Sequence, residues 1–245
     1  MISRLFPFKR GLCHAYWAPN LWSVYNVVDK MCVVVARWTG TSLVTGDSPG
    51  ASMTGGLVQD IHHAVLPNIS PLTTMILTLV LMTPSLVKLW SCPNNMTQFI
   101  RCLALCSWTS FLCGWHVHEK AILLVTLPMT LLAGVNKQDA RYFLIISTVG
   151  HVSLLPLLFT KLEIASKLLL HICYSLLLAK TLQSHAASNN WLEIIYLALS
   201  IPVILFGEFV KIASLPFLPL LVYSLYCAVG VIYTYVRVYI NYIMI

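Results

Sequence analysis

The sequence predicts an all-α, polytopic transmembrane helical bundle of about seven spans, preceded by an N-terminal loop region with a re-entrant or interfacial helix. Three observations lead there. The chain is 58% hydrophobic and only 9% charged, where soluble chains carry about 25% charged residues. Its mean hydropathy of +0.81 leaves too few polar groups to cover a water-facing surface. Its apolar runs are continuous rather than alternating, and several approach the roughly 20 residues that a membrane crossing needs. Only helices or closed barrels satisfy the backbone in lipid, and continuous runs select helices.

The N-terminal region, 1–67, reads as loop and interfacial helix, and 68–245 as the bundle. Pro7 and Gly11 interrupt regular structure. Around them Arg4, Lys9, Arg10 and His14 stand among Phe6, Phe8, Tyr16 and Trp17. Rings mixed with cations suit a headgroup-level anchor; they equally suit arginine forks that grip phosphate oxygens. Residues 21–38 read as a helix that carries Asn26, Asp29 and Lys30 among apolar neighbours, lying in the interface or re-entering it. Residues 39–57, rich in Gly, Ser and Thr, read as loop. His62-His63 follows Asp60 and reads as a solvated turn, because a metal would need third and fourth ligands that the spacing does not supply.

The spans follow. The first is 70–90. After a polar turn at 91–98 comes the second, 99–115, with Arg101 able to snorkel from its end. The third, 121–136, is short and interrupted by Pro128. Lys137-Gln138-Asp139-Ala140-Arg141 reads as a charged turn before the fourth span, 142–160, which contains His151 and Pro156. The fifth, 164–182, opens on Glu163, an acid suited to a helix N-terminus. Asn190 can cap the sixth, 191–210. Near its end Glu208 and Lys211, three apart, can pair on one helical face. The seventh is 215–236.

Between the second and third spans lies Gly114-Trp115-His116-Val117-His118-Glu119-Lys120, which puts two histidines, a glutamate and a lysine into five residues. A charge at mid-bilayer costs about 2.5–3.5 kcal/mol, so these groups face water, a cavity or a polar ligand. A solvated hairpin tip and a ligand site both meet that condition. The shortness of the third span draws the cluster below the membrane surface. Alternation of the spans places Lys88, Arg101, Lys137, Arg141, Lys180 and Arg237 at the ends opposite the cluster, and Lys120, Lys161, Lys167 and Lys211 on its side. The excess of basic residues directs the cytoplasm away from the cluster. The cluster, the Arg4–Arg10 loop and the His62-His63 turn then share the non-cytoplasmic face.

The net charge of +7 is scattered singly over loop ends, so it is no nucleic-acid footprint. The eight cysteines form no C-x-x-C pair, and Cys102, Cys106 and Cys113 read as small hydrophobes in a helix; no metal centre or disulfide framework is implied. Of the two glycosylation sequons, Asn68-Ile69-Ser70 abuts the membrane and precedes Pro71, and Asn95-Met96-Thr97 falls on the cytoplasmic side, so neither is expected to be used.

Two stretches carry a family resemblance. Arg4-Leu5-Phe6-Pro7-Phe8-Lys9-Arg10-Gly11-Leu12 and His116-Val117-His118-Glu119-Lys120-Ala121-Ile122-Leu123 resemble signatures of the endoplasmic reticulum α-1,3-glucosyltransferases that use dolichyl phosphate glucose, members of the GT-C superfamily. The run Cys13-His14-Ala15-Tyr16-Trp17-Ala18-Pro19-Asn20-Leu21-Trp22 is similar to the branch that adds the second glucose. The resemblance implies an ER membrane hexosyltransferase of protein N-glycosylation. It would move glucose from dolichyl phosphate glucose to the monoglucosylated lipid-linked oligosaccharide, with its site and the N-terminal loop region on the lumenal face. A β-linked donor giving an α-glucoside needs a base on the acceptor hydroxyl and help for the departing phosphate. The resemblance places His116, His118, Glu119 and Lys120 at the donor phosphate and sugar, and Arg4, Arg10 and His14 at secondary phosphate or glycan contacts. It implies no metal and no cofactor, and membrane lipids as surroundings. It covers the C-terminal half of such enzymes, so the chain is expected to be a fragment or a shortened isoform, with the catalytic base in the other half. Two further readings stay open: a non-enzymatic polytopic protein (a transporter, with internal repeats and mid-span polar groups, or a structural subunit), and an inactive truncated isoform.

Overall fold

The computed structural model of the chain describes residues 12, 18–40, 63–158, 160–182, 190–210 and 218–244. Arg4, Arg10, His14, His62 and Lys211 lie outside the described residues. The fold is an all-α bundle of nine α-helices among the described residues: α1 Leu21–Thr39, α2 Pro71–Ser91, α3 Met96–Cys113, α4 Leu123–Leu132, α5 Lys137–Leu154, α6 Ile164–Leu182, α7 Trp191–Ala198, α8 Ser200–Phe209 and α9 Leu218–Met244. A 3-10 turn, Glu119–Ile122, leads into α4.

Local chemistry accounts for most boundaries. Asn20, Ser70, Asn95, Asn136 and Asn190 each turn a side-chain oxygen onto backbone N–H groups of the first turn that follows, satisfying donors that a helix start leaves open. Pro71 fits the first position of α2, where a missing N–H costs nothing. Gly40, at φ +67°, ends α1 in the left-handed conformation. The sixth apolar run breaks at Leu199, three residues before Pro202, into α7 and α8. The seventh runs on through residue 244, eight residues past its expected end.

Among the described residues, five stretches are long and apolar enough to cross a membrane: Pro71–Ser91, Lys137–Leu157, Ile164–Leu182, Trp191–Phe209 and Leu218–Met244. The other two of the seven expected spans are α3 and the shorter α4. Ten residues of α-helix rise only about 15 Å, half of a hydrocarbon core about 30 Å thick. The core is built on α5 and α9, which bury Tyr142, Ile146, Val149, Cys227, Val231 and Tyr235 against Leu105, Trp108 and Phe111 of α3 and Val125 and Met129 of α4. Thr109 Oγ1 and Tyr235 Oη lie 2.9 Å apart inside this core. By contrast, α2, α6 and α7–α8 turn leucines, isoleucines and valines outward, among them Leu79, Val80, Leu169, Leu176, Leu192 and Ile194. That arrangement is unfavourable in water and natural against lipid.

Two sequence expectations are corrected. The run Lys137–Arg141 is not a turn but the first turn of α5, because Asn136 caps it and both cationic and anionic groups find partners: Arg101 Nη2 lies 2.6 Å from Asp139 Oδ2, and Arg141 makes two 2.6 Å bonds to the Glu193 carboxylate of α7. Arg101 therefore pairs inward rather than snorkelling. Glu208 pairs with Lys167 of α6, which is 2% exposed; Lys211, its expected partner, lies outside the described residues. His151, within α5, stacks on His171 and Tyr174.

Helix α1 has an inverted pattern. Its buried residues include Ser23, Asn26 and Asp29, while Met31, Val34, Val35 and Trp38 are exposed. Asp29 accepts the backbone N–H groups of Ala64, Val65 and Leu66 at 2.8–3.2 Å. The His63 ring lies 2.9 Å from Asn26 Oδ1. Burial pushes the Asp29 carboxyl up, but these three donors and the charge of His63 outweigh it and hold the group below the ordinary carboxylate value. Asp29 therefore supplies stability that is fully present above about pH 4, the ordinary value, and is lost as pH falls through the depressed folded value. Asp29→Asn is expected to lower the unfolding temperature at pH 7 and to remove that part of the acid loss. Tryptophan-monitored thermal unfolding in detergent between pH 7 and pH 3 checks both.

Candidate functional site

Helix α3 stops at Gly114, where only glycine fits: a Cβ there would lie 2.4 Å from the Ser110 backbone oxygen and 2.9 Å from Val117 Cγ2. Trp22, at the start of α1, donates its indole N–H to Gly114 O at 3.0 Å, and His116 N donates to Leu12 O at 3.0 Å. His116 holds φ +53°, a left-handed conformation that histidine tolerates better than most residues. It reverses the chain and sets the His116 and His118 rings edge to face, 6.0 Å between centroids. His118 O accepts from Ala121 N at 3.0 Å, starting the 3-10 turn that carries Glu119 and Lys120.

The structure thus brings His116, His118, Glu119 and Lys120 together at one end of the bundle and separates their roles by burial. His118 and Lys120 are exposed, and Lys120 makes no ion pair among the described residues. Glu119 is 4% exposed, with Oε2 3.8 Å from His118 Nδ1. It turns inward and lines a small cavity with Pro19, Ser153, Pro156, Leu157, Leu220, Tyr223 and Ser224. The end of α5, the start of α9, the start of α1 and the cluster therefore converge on one pocket. At the other end of the bundle, Tyr239 and Tyr242 of α9 donate to Leu81 O and Ser85 O of α2 at 3.1 and 3.3 Å.

A buried carboxylate beside an exposed ammonium and two imidazoles can accept sugar hydroxyls on one side and stabilise an anionic leaving group on the other. Arg4, Arg10 and His14 lie outside the described residues. Sequence reasoning missed Trp22, Ser153, Tyr223 and Ser224. None is charged; Trp22 ends the 13–22 run that carries the family likeness, and the last three sit in runs that read only as membrane spans, so no local signal marks those three. Among the described residues, no three His, Cys, Asp or Glu side chains are placed to hold a metal ion.

The sequence profile of the ALG6, ALG8 glycosyltransferase family matches residues 1–238. A mouse protein named dolichyl pyrophosphate Glc1Man9GlcNAc2 alpha-1,3-glucosyltransferase is 49% identical over 251 aligned positions, covering 98% of this chain and 47% of the mouse protein. A Drosophila melanogaster protein named as a probable enzyme of the same kind is 41% identical, with 95% and 46% covered. An Arabidopsis thaliana relative bearing the mouse protein's name is 38% identical, with 96% and 50% covered. The chain spans about half the length of the curated relatives it matches. A profile match over nearly the whole chain, with a helical bundle that gathers the sequence's ionisable cluster at one end, places this chain in the ALG6, ALG8 glycosyltransferase family.

Proposed function

We propose that this chain forms the donor-side half of a glucosyltransferase of the ER membrane. The whole protein would transfer glucose from dolichyl phosphate glucose to the Glc1Man9GlcNAc2 lipid-linked oligosaccharide in α-1,3 linkage, adding the second glucose. The relatives' names supply the acceptor and the linkage. The observation that carries the reading is the division within the cluster: Lys120 exposed, Glu119 buried in a small pocket that it shares with Ser153, Tyr223 and Ser224. In it, Lys120 with His118 and His116 receives the donor phosphate, and Glu119 contacts the sugar or orients its neighbours. Arg4, Arg10 and His14 stand as secondary phosphate or glycan contacts. The acceptor-deprotonating base is assigned to none of these residues.

The lumenal placement of the site rests on charge. Alternation of the spans sets Lys88, Arg101, Lys137, Arg141, Lys180 and Arg237 at the ends opposite the cluster against Lys120, Lys161, Lys167 and Lys211 on its side, and the larger number supports a cytoplasm away from the cluster. The test is a transfer assay in microsomes from cells making the whole protein, with radiolabelled dolichyl phosphate glucose and purified lipid-linked acceptors. One glucose is expected to join Glc1Man9GlcNAc2, and none to join the unglucosylated Man9GlcNAc2. Labelling of the unglucosylated acceptor alone would reassign the reaction to the first glucose. No labelling of either would end the reading.

A further inference from the structure

Ser224 is a polar group of the cluster-end pocket to which the proposed chemistry gives no role. It is 4% exposed, and its hydroxyl has no hydrogen-bond partner among the described residues. A buried hydroxyl left in that condition costs the fold about 1–3 kcal/mol, and native interiors seldom keep one without a ligand or water to complete it. The pocket's other hydroxyls are already engaged: Ser153 Oγ donates to Gly150 O at 2.7 Å, and Tyr223 Oη donates to Ile204 O at 3.3 Å. Glu119 supplies a buried carboxylate to the same cavity, whose other walls among the described residues are Pro19, Pro156, Leu157 and Leu220. Inside there is room for about one water-sized group. A hexose ring is too large for it; a single hydroxyl is not.

We infer that this pocket is a subsite for one sugar hydroxyl, in which Ser224 of α9 and Glu119 of the cluster bind the hydroxyl of a glucosyl residue. The hydroxyl donates to the Glu119 carboxylate and accepts from Ser224 Oγ–H, which gives the buried serine the partner it lacks among the described residues. Ser224 becomes a further substrate-contacting residue, supplied by a helix distant in sequence from the cluster. The inference rests on the glucose-transfer reading, and the hydroxyl belongs either to the donor glucose or to the terminal glucose of the acceptor.

The experiment uses the whole protein in proteoliposomes, with dolichyl phosphate glucose and its singly deoxygenated analogues as donors. A second arm uses acceptors deoxygenated on the terminal glucose. Ser224→Ala and Ser224→Cys are each expected to lower kcat/KM on the order of tenfold with the native substrates, the size of one lost hydrogen bond. Because Ala removes an unsatisfied group, its unfolding temperature is expected to match or exceed that of the wild type. The ratio of wild-type to variant rates should fall to about one with the analogue that lacks the bound hydroxyl, and stay near ten with the others. Collapse in the donor series assigns the hydroxyl to the donor, and collapse in the acceptor series assigns it to the acceptor. A variant within twofold of wild type, a ratio that collapses with no analogue, or a lower unfolding temperature overturns the inference and leaves the transfer reading intact. A wild-type protein that transfers nothing overturns both.

Discussion

Alanine at Lys120 is expected to lower glucose transfer about a hundredfold while leaving the amount of folded protein unchanged. The argument starts from charge. The phosphate of a lipid phosphoglucose carries one negative charge, and after the glucose departs the lipid phosphate carries two. A cation beside it is therefore worth more in the transition state than in the bound donor, the condition for raising the rate and not merely the affinity. Two unit charges about 4 Å apart attract by about 1 kcal/mol in bulk water and about 4 kcal/mol at a protein surface of intermediate dielectric. An exposed lysine that a lipid substrate covers falls between these limits, and about 2.7 kcal/mol corresponds to a hundredfold. Lys120 makes no ion pair among the described residues, so no part of its charge is committed to holding the fold. An exposed position away from the core changes stability by about 0.5 kcal/mol or less. Lys120→Arg keeps the charge and should retain within about tenfold of wild-type activity. The measurement is kcat and KM for dolichyl phosphate glucose in wild type and both variants, with unfolding temperature as control. Near-normal kcat in the alanine variant would remove the donor phosphate from this residue.

The cluster was legible because its parts are adjacent in sequence, and four ionisable groups stand out within so apolar a chain. The helices were legible for the same local reason: a continuous apolar run reads the same wherever it packs. The rest depended on partners far along the chain. Lys137–Arg141 looks like a turn to a short window, since that window contains neither Arg101, 38 residues from its partner Asp139, nor Glu193, 52 residues from Arg141. Trp22 reaches Gly114 O across 92 residues. Ser153, Tyr223 and Ser224 are neutral residues in apolar spans, and only the convergence of α5 and α9 on Glu119 gives them a role. Of the aromatic-basic loop, the residues singled out for phosphate lie outside the described residues, so its part of the site rests on sequence alone.

The ion pair between Lys167 and Glu208 should produce the largest loss of stability. Lys167 is 2% exposed, within a helix apolar enough to cross the membrane. Truncating Glu208 to alanine leaves that ammonium buried without its counter-charge. Breaking a buried pair from one side costs about 3–5 kcal/mol, which for a chain of this size corresponds to a fall of about ten degrees in unfolding temperature. Replacing both partners is a different experiment, because no charge is then left in the interior. Apolar pairs of similar volume are often neutral or stabilising at such sites, so Lys167→Met with Glu208→Leu should recover most of the loss. Scanning fluorimetry on wild type, both singles and the double in detergent closes the cycle, and additive losses would show that the two groups do not interact. The same cycle bears on the site. Glu208 neighbours Gly207, whose Cα faces the ring of Tyr223: a Cβ at Gly207 would lie 2.0 Å from Tyr223 Cε2. Tyr223 lines the Glu119 pocket, so the ion pair holds α8 against α6 and thereby one wall of the pocket. Transfer activity should then fall with Glu208→Ala and return in the apolar double variant along with stability. A double variant that is stable but inactive would mean that Lys167 or Glu208 acts on the substrate by its charge and not through the packing of Tyr223.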